Sequence, residues 1–122
     1  MVHVVIVDDE EIMRGLVGQI VAMLGWTSTS ATSAIQALPV IRREMPDVVI
    51  SDVGMPGANG IELLIAIKED PNLAHIPVVI MSSIDREDEA QAAGCAAFIA
   101  KPFPLEAMLQ LLARVAPPED SS

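Results

Sequence analysis

The chain has 122 residues, enough for one domain that buries roughly two-thirds of its unfolded surface. Its hydrophobic fraction of 52% excludes an intrinsically disordered protein, and 7 basic against 17 acidic residues argue against direct binding of nucleic acid. The single cysteine, Cys95, excludes an internal disulfide, and no apolar stretch is long enough to span a membrane. The chain opens on a strand pattern rather than a signal peptide, so we expect a cytoplasmic protein without membrane contacts.

The first half of the chain alternates strand and helix patterns. The run HVVIV predicts a first strand, and a helical period over residues 10–24 ends at Gly25. Residues 26–30, rich in Thr and Ser, suit an edge strand. A second helix is expected from Ser33 towards Met45, with a kink or a late start because Pro39 interrupts it.

The second half repeats the alternation, which predicts a parallel sheet with helices on both faces. The apolar run 47–52 reads as a central strand, and Asn59 should cap the helix that follows. The remaining predicted elements are a helix over 61–68, the strand VVIMS after Pro77, an acidic helix over 85–93, a strand over 96–100 and a helix over 104–115.

The last helix is expected to bury one apolar stripe. Its members are Leu105, Met108, Leu109, Leu112 and Val115. Leu111 should then lie at the edge of the stripe, where a solvent-exposed leucine would indicate a contact face.

Charged residues follow three of the predicted strands. Asp8-Asp9 follow the first strand, Asp52 the third and Lys101 the fifth. The carboxyl ends of parallel strands open on one edge of a sheet, so these side chains should converge there. Carboxylates packed together either take up protons or hold a divalent cation, and we favour the cation and phosphate chemistry. Taken singly, each residue is more typical of a turn or a solvated strand end.

The run from Asp52 to Gly60, taken with Asp8-Asp9, Ser82 and Lys101-Pro102, resembles the receiver domain of two-component response regulators over nearly the whole chain. The resemblance implies a flavodoxin-like, doubly wound, five-stranded parallel sheet in the order 2-1-3-4-5 with five helices. It further implies a receiver domain over residues 1–116, with 117–122 as a flexible tail or the start of a linker. We expect a stand-alone receiver.

By the same resemblance, Asp52 accepts a phosphoryl group from a histidine kinase. Mg²⁺, or Mn²⁺ as the alternative ion, would be bound directly by Asp9, Asp52 and the Gly54 carbonyl, and by Asp8 through water. Such a protein is a signalling switch that catalyses only its own phosphorylation and dephosphorylation, not an enzyme with an external substrate. Gly54 offers no side chain to orient a hydrolytic water, which predicts a long-lived acyl phosphate.

The resemblance assigns further roles near the end of the sheet. Lys101 and Ser82 would contact phosphoryl oxygens, and the Lys101-Pro102 peptide would be cis. Phe98 would be a switch residue coupled to Ser82, although a phenylalanine on a strand is more often static core. Ile84, like Gly54, provides no group that could orient water.

The resemblance also implies protein partners. A histidine kinase or a histidine phosphotransfer protein would face the start of the first helix, near Met13 and Arg14. A downstream target, or a second copy in a homodimer, would bind the fourth helix, fifth strand and fifth helix. The alternatives are an aspartyl-phosphate phosphatase of the haloacid dehalogenase type, a flavodoxin-like nucleotide binder and a pseudo-receiver that binds partners without phosphate. The phosphatase would need a DxDx(T/V) motif after the first strand, and the nucleotide binder would need a glycine-rich loop there.

Overall fold

The computed structural model describes residues 1–55 and 59–117. Part of the predicted loop after Asp52 (56–58) and most of the predicted tail (118–122) lie outside the described residues. The strands are β1 (His3–Val7), β2 (Thr27–Ala31), β3 (Val48–Asp52), β4 (Val78–Ser82) and β5 (Ala97–Ala100). The helices are α1 (Glu11–Met23), α2 (Ala34–Glu44), α3 (Gly60–Glu69), α4 (Glu87–Ala92), preceded by a 3₁₀ turn over Ile84–Arg86, and α5 (Leu105–Val115).

The five strands form one parallel sheet in the order β2-β1-β3-β4-β5, which confirms the predicted topology. β3 is central, and all of its residues are buried. β2, with the sequence TSTSA, lies at one edge and exposes three of its five residues, as its polar composition predicts. β1 and β3 are therefore neighbours, and β4 separates β3 from β5.

Each face of the sheet carries its own hydrophobic cluster, because side chains alternate between the faces along a strand. Val5 of β1 packs with residues of α2, α3 and α4, whereas Val4 packs with residues of α1 and α5. The doubly wound arrangement therefore places α1 and α5 on one face and α2, α3 and α4 on the other.

Two helix starts follow the sequence expectations closely. Asn59 caps α3 in a reciprocal capping box, in which its side chain accepts from the Glu62 backbone and Glu62 accepts from the Asn59 backbone. Ser33 caps α2 by accepting from the backbone N–H of Gln36 at 3.1 Å. The α2 helix runs through Pro39 from Ala34, so the expected late start is wrong.

The predicted buried stripe of α5 is partly wrong, because Leu111, expected at its edge, is buried and Leu105, expected within it, is exposed. Leu111 is 6% exposed and belongs to the core cluster with Met108 and Leu112, whereas Leu105 is 43% exposed. The reason is that α5 packs against α1 as well as against the sheet. Leu111 belongs to the same core cluster as Val17, Ile20 and Val21 of α1, whereas Leu105 at the first turn is not among its members.

Candidate functional site

The charged groups predicted at the strand ends do converge. The Lys101 ammonium lies 3.2 Å from Asp8 Oδ2 and 3.2 Å from Asp52 Oδ1. Asp8 is fully buried, and Asp52 is 7% exposed. The lysine thus joins the ends of two neighbouring strands, β1 and β3, from the far edge of the sheet, and it balances two carboxylates that little water can reach.

Asp8 is held on every side. Its Oδ1 accepts from the backbone N–H of Glu10 at 2.9 Å, and its backbone N–H donates to the Ala31 carbonyl at 3.1 Å. Its own carbonyl accepts from the Arg14 guanidinium at 2.9 Å. With Lys101 on Oδ2, both carboxylate oxygens of Asp8 have a hydrogen-bond partner.

Lys101 is fixed at its backbone as well as at its ammonium group. Its N–H donates to the Ser82 carbonyl at 2.8 Å, continuing the β4–β5 ladder by one residue. The following peptide, Lys101-Pro102, is cis, as the resemblance implied. Burial tends to lower the pKa of the lysine, but the charges of Asp52 and Asp8 outweigh it and raise that pKa above its usual value.

Burial raises the pKa of the Asp52 carboxyl group, and the nearby Asp8 charge acts in the same direction. Lys101 opposes the shift through its charge and its hydrogen bond, and the Val53 backbone also stabilises the carboxylate. Burial of the Asp52 carboxylate, which favours its protonated form, is thus opposed mainly by the positive charge of Lys101.

A third carboxylate of the acidic cluster comes from Glu10, a residue to which the sequence assigned no role. Carboxylate oxygens of Asp8, Glu10 and Asp52 lie within 4.8 Å of one another, and Glu10 Oε1 is 4.0 Å from the Lys101 ammonium. Three hard oxygen ligands around one point suit a divalent cation such as Mg²⁺. The run DDEE after β1 was the available signal, because any of its carboxylates can turn towards the strand end.

The remaining predicted site residues are placed as follows. Asp9 is exposed and lies outside the described group of three converging carboxylates, and Gly54 is exposed beyond the end of β3. Ser82 is 8% exposed at the end of β4, the strand between those of Asp52 and Lys101. Phe98 pairs in register with Ile80 and is partly buried against the core beneath α2, α3 and α4.

Gly60 supports Asp52 in a way that the sequence analysis missed. A Cβ at this position would lie 2.0 Å from the Asp52 carbonyl oxygen, so only glycine allows the start of α3 to approach the end of β3 this closely. The same carbonyl accepts from the buried Ser51 hydroxyl at 2.8 Å. The Asp52 backbone is therefore tightly fixed. The available signal was Gly60 directly after a helix-capping asparagine.

Exposed apolar side chains lie near this edge of the sheet. Ile12 and Leu16 on α1 are 88% and 41% exposed, and Ile84 after β4 is 66% exposed. Met13 packs partly into the core, and Arg14 is occupied by the Asp8 carbonyl. The large apolar side chains exposed in the first half of α1 are thus Ile12 and Leu16.

The fold and the site together define a doubly wound α/β protein with a lysine-bridged acidic cluster at the carboxyl edge of its sheet, the position at which such folds bind ligands. Residues 4–113 match the family model described as the response regulator receiver domain, and the chain belongs to this family. This membership favours the receiver hypothesis over the phosphatase and the nucleotide binder.

Several characterised proteins are similar to the chain. The chemotaxis protein CheY of Pseudomonas aeruginosa is 32% identical over 92% of this chain and 94% of its own length. The response regulator FleR of the same organism is 38% identical over 91% of this chain, which spans only 24% of FleR. The solved structure of the Vibrio cholerae chemotaxis regulator CheY4 covers 94% of this chain and 98% of its own, with a TM-score of 0.87 and 30% identity.

The family consists of signalling modules of two-component systems, and the acidic cluster is compatible with a divalent cation. Among the described residues, no helix is both long and apolar enough to cross a bilayer.

Proposed function

We propose that the chain takes a phosphoryl group from a phosphohistidine of a histidine kinase or a histidine phosphotransfer protein onto Asp52. The observation that carries this proposal is the bridge of Lys101 between Asp52 and Asp8, with Glu10 beside it. A nucleophilic carboxylate in such a cluster needs nearby positive charge before an anionic phosphoryl group can approach it. The lysine supplies part of that charge from a fixed position.

In the reaction, an Asp52 carboxylate oxygen forms a bond to phosphorus while the bond from phosphorus to the donor histidine nitrogen breaks. The electron pair of that bond stays on the nitrogen, so no oxidant or further reactant is needed. Burial holds Asp52 with little competing water, and Lys101 keeps a cation in contact with it. In the transition state the lysine moves its ammonium contact to a phosphoryl oxygen, and Ser82 donates its hydroxyl to another.

Mg²⁺, with Mn²⁺ as the alternative, would neutralise charge on the phosphoryl oxygens when bound. We propose Asp9, Asp52 and the Gly54 carbonyl as direct ligands and Asp8 as a ligand through water. Support for Asp52 and Asp8 comes from the acidic cluster, which offers hard oxygens at this edge of the sheet, whereas Asp9 and Gly54 are taken from the resemblance to the family. Glu10, whose carboxylate is already in the cluster, would join the water shell of the ion.

We further propose that phosphorylation moves the Ser82 hydroxyl towards the phosphoryl group and so gives Phe98 room to change its rotamer. Phe98 belongs to β5, so its movement would alter the surface of α4, β5 and α5, through which a target protein or a second copy would bind. The kinase would contact the exposed Ile12 and Leu16 on α1. The switch would act in the cytoplasm.

The test is the intact mass of the protein after incubation with Mg²⁺ and acetyl phosphate, which supplies a phosphoryl group without any kinase. The wild type should gain the mass of one phosphoryl group, and Asp52→Asn should gain none. Asp88→Asn, which changes an exposed carboxylate of α4, is the matched control and should react as the wild type does. An adduct that persists in Asp52→Asn, or its absence in the wild type, would refute the proposal.

A further inference from the structure

An apolar groove of about 300 Å³ lies between α2 and α3, away from the acidic cluster. Its apolar lining comes from both helices and consists of Ala34, Ile35, Leu38, Pro39, Leu63 and Ala66. Ile35 is 72% exposed at its edge. The face therefore combines a protruding isoleucine with an adjacent apolar recess, the knob and hole that a self-complementary contact requires.

The two charged residues of the groove lie at opposite ends of it. Arg42, in the last turn of α2, forms an ion pair with Asp70, which follows the last turn of α3, at 3.5 Å. The C-terminal ends of the two helices are therefore neighbours. Glu62 lies in the first turn of α3, at the other end of the groove.

Opposite charges at the two ends make the groove complementary to itself. A two-fold rotation that exchanges the ends places Arg42 of each copy beside Glu62 of the other, and it sets each Ile35 against the partner's recess. The existing ion pair of Arg42 is surface-exposed and so costs little to rearrange, because the arginine side chain is 56% exposed.

We propose that this groove is an interface between two copies of the chain, independent of phosphotransfer and distinct from the surface of α4, β5 and α5. The net charge of −10 on each copy opposes association over long range. The dimer is therefore weak at low ionic strength and tightens as salt screens the repulsion between the two copies. A contact held by attraction between charged surfaces would instead weaken as salt is added.

The test is sedimentation velocity of the whole chain from about 1 μM to about 1 mM protein, at low and at moderate salt. The wild type should show a concentration-dependent dimer that salt strengthens. Ile35→Ala should weaken the dimer roughly a hundredfold, because each interface loses two isoleucine side chains. Ile35→Glu should abolish the dimer, whereas the matched control Ile12→Glu, on α1 at 88% exposure, should leave it intact.

Charge reversal identifies the proposed pairing. Arg42→Glu and Glu62→Arg should each weaken the dimer about tenfold or more, because each places like charges together twice. The double variant should regain most of the lost affinity. Urea unfolding of each variant shows whether α3 stays folded, since Glu62 also belongs to the capping box.

A wild type that is monomeric at every concentration would overturn the proposal. A dimer that survives Ile35→Glu would do the same, because association would then use another face. A double charge reversal that binds no better than the single variants would overturn the pairing of the two ends.

Discussion

Removal of the Lys101 charge is the most direct test of how the acidic cluster is balanced. In Lys101→Met the aliphatic stem is replaced by a side chain of similar length, while the ammonium between Asp8 and Asp52 is lost. Both carboxylates remain in their buried positions. We therefore expect a loss of stability at neutral pH in the absence of divalent cations.

The magnitude follows from the distances. Each contact of 3.2 Å is worth about 5 kcal/mol at an effective dielectric constant of about 20, before the cost of desolvating the ions is subtracted. Without the lysine, carboxylates within 4.8 Å repel one another by about 3 kcal/mol or more for a pair. Since desolvation offsets much of the attraction, we expect the free energy of unfolding to fall by about 3 kcal/mol, and the melting temperature by about 10 °C.

The assay is urea unfolding in EDTA and again in excess MgCl₂. A bound cation replaces the lost positive charge, so Mg²⁺ should recover about 2 kcal/mol in the variant. The gap should also narrow as the pH falls, because burial raises the pKa of Asp52 and its protonation removes one of the repelling charges. Lys68→Met is the control, since within residues 1–55 and 59–117 the Lys68 ammonium forms no ion pair with a carboxylate and donates to the Ala74 carbonyl at 3.2 Å. Equal effects of the two substitutions in EDTA, or a Lys101 variant indifferent to Mg²⁺, would refute the reasoning.

Three further predictions follow from single contacts. Gly60→Ala should lower the free energy of unfolding in urea by about 2 kcal/mol, because its Cβ would meet the Asp52 carbonyl oxygen. Gly15→Ala, at a position in α1 with open space for a Cβ, should instead stabilise the protein, and equal effects of the two substitutions would contradict this. Hydrogen bonds from Thr and His side chains lower the Glu44 pKa, so Glu44→Gln should cost about 1 kcal/mol of unfolding free energy at neutral pH. That cost should begin to shrink near the usual pKa of 4.5 and vanish as the pH falls through the lowered pKa of the folded protein, and a pH-independent difference would contradict this. Gly54→Asn should speed loss of the phosphoryl label in a time course of intact mass, because it places an amide that can orient water. A Cβ added at Gly54 would meet no non-neighbouring atom of the described residues within 4 Å, and an unchanged lifetime would argue against that role.

The strand ends could be predicted from the sequence because each is marked twice. An uninterrupted apolar run identifies a buried strand, and the charged residue that follows marks where the run ends. The sequence therefore predicts that Asp52 and Lys101 lie at one edge of the sheet, and the ion pair between them confirms that they meet. The Ser82 carbonyl, paired with the Lys101 backbone, belongs to the same edge.

The choice of carboxylates after β1 was harder to predict. Four acidic residues follow one another there, and the turn that ends the strand decides which of them face the sheet edge. Asp8 forms the turn by accepting from the Glu10 backbone, and Glu10 then contributes a carboxylate to the cluster while Asp9 is exposed. The spacing of the four acidic residues does not predict this turn. Which of their side chains faces the sheet edge depends on the local backbone angles, and the sequence does not give those.

The α5 helix shows a different limit. Its apolar residues are numerous enough to permit two adjacent stripes, one with Leu105 and Leu109 and one with Leu111. The pattern alone cannot choose between them. Contact with α1 makes the choice, and it is a tertiary contact between the first and last helices of the chain. Periodicity predicts that a helix is amphipathic, but its rotation about its axis depends on every element that covers it.

The contacts around Asp52 also limit where a phosphorylation signal can travel. On the α3 side, a Cβ at Gly60 would lie 2.0 Å from the Asp52 carbonyl oxygen, and the same oxygen accepts from the Ser51 hydroxyl, so the backbone there is closely packed. On the other side, Lys101 contacts Asp52 only through its side chain, and the residues after Ser82 form an exposed 3₁₀ turn. A change of charge at Asp52 would therefore act most readily on the Lys101 side chain and on the turn after β4, because these groups can move while the β4–β5 ladder stays intact. This asymmetry favours α4, β5 and α5 over α3 as the responding surface.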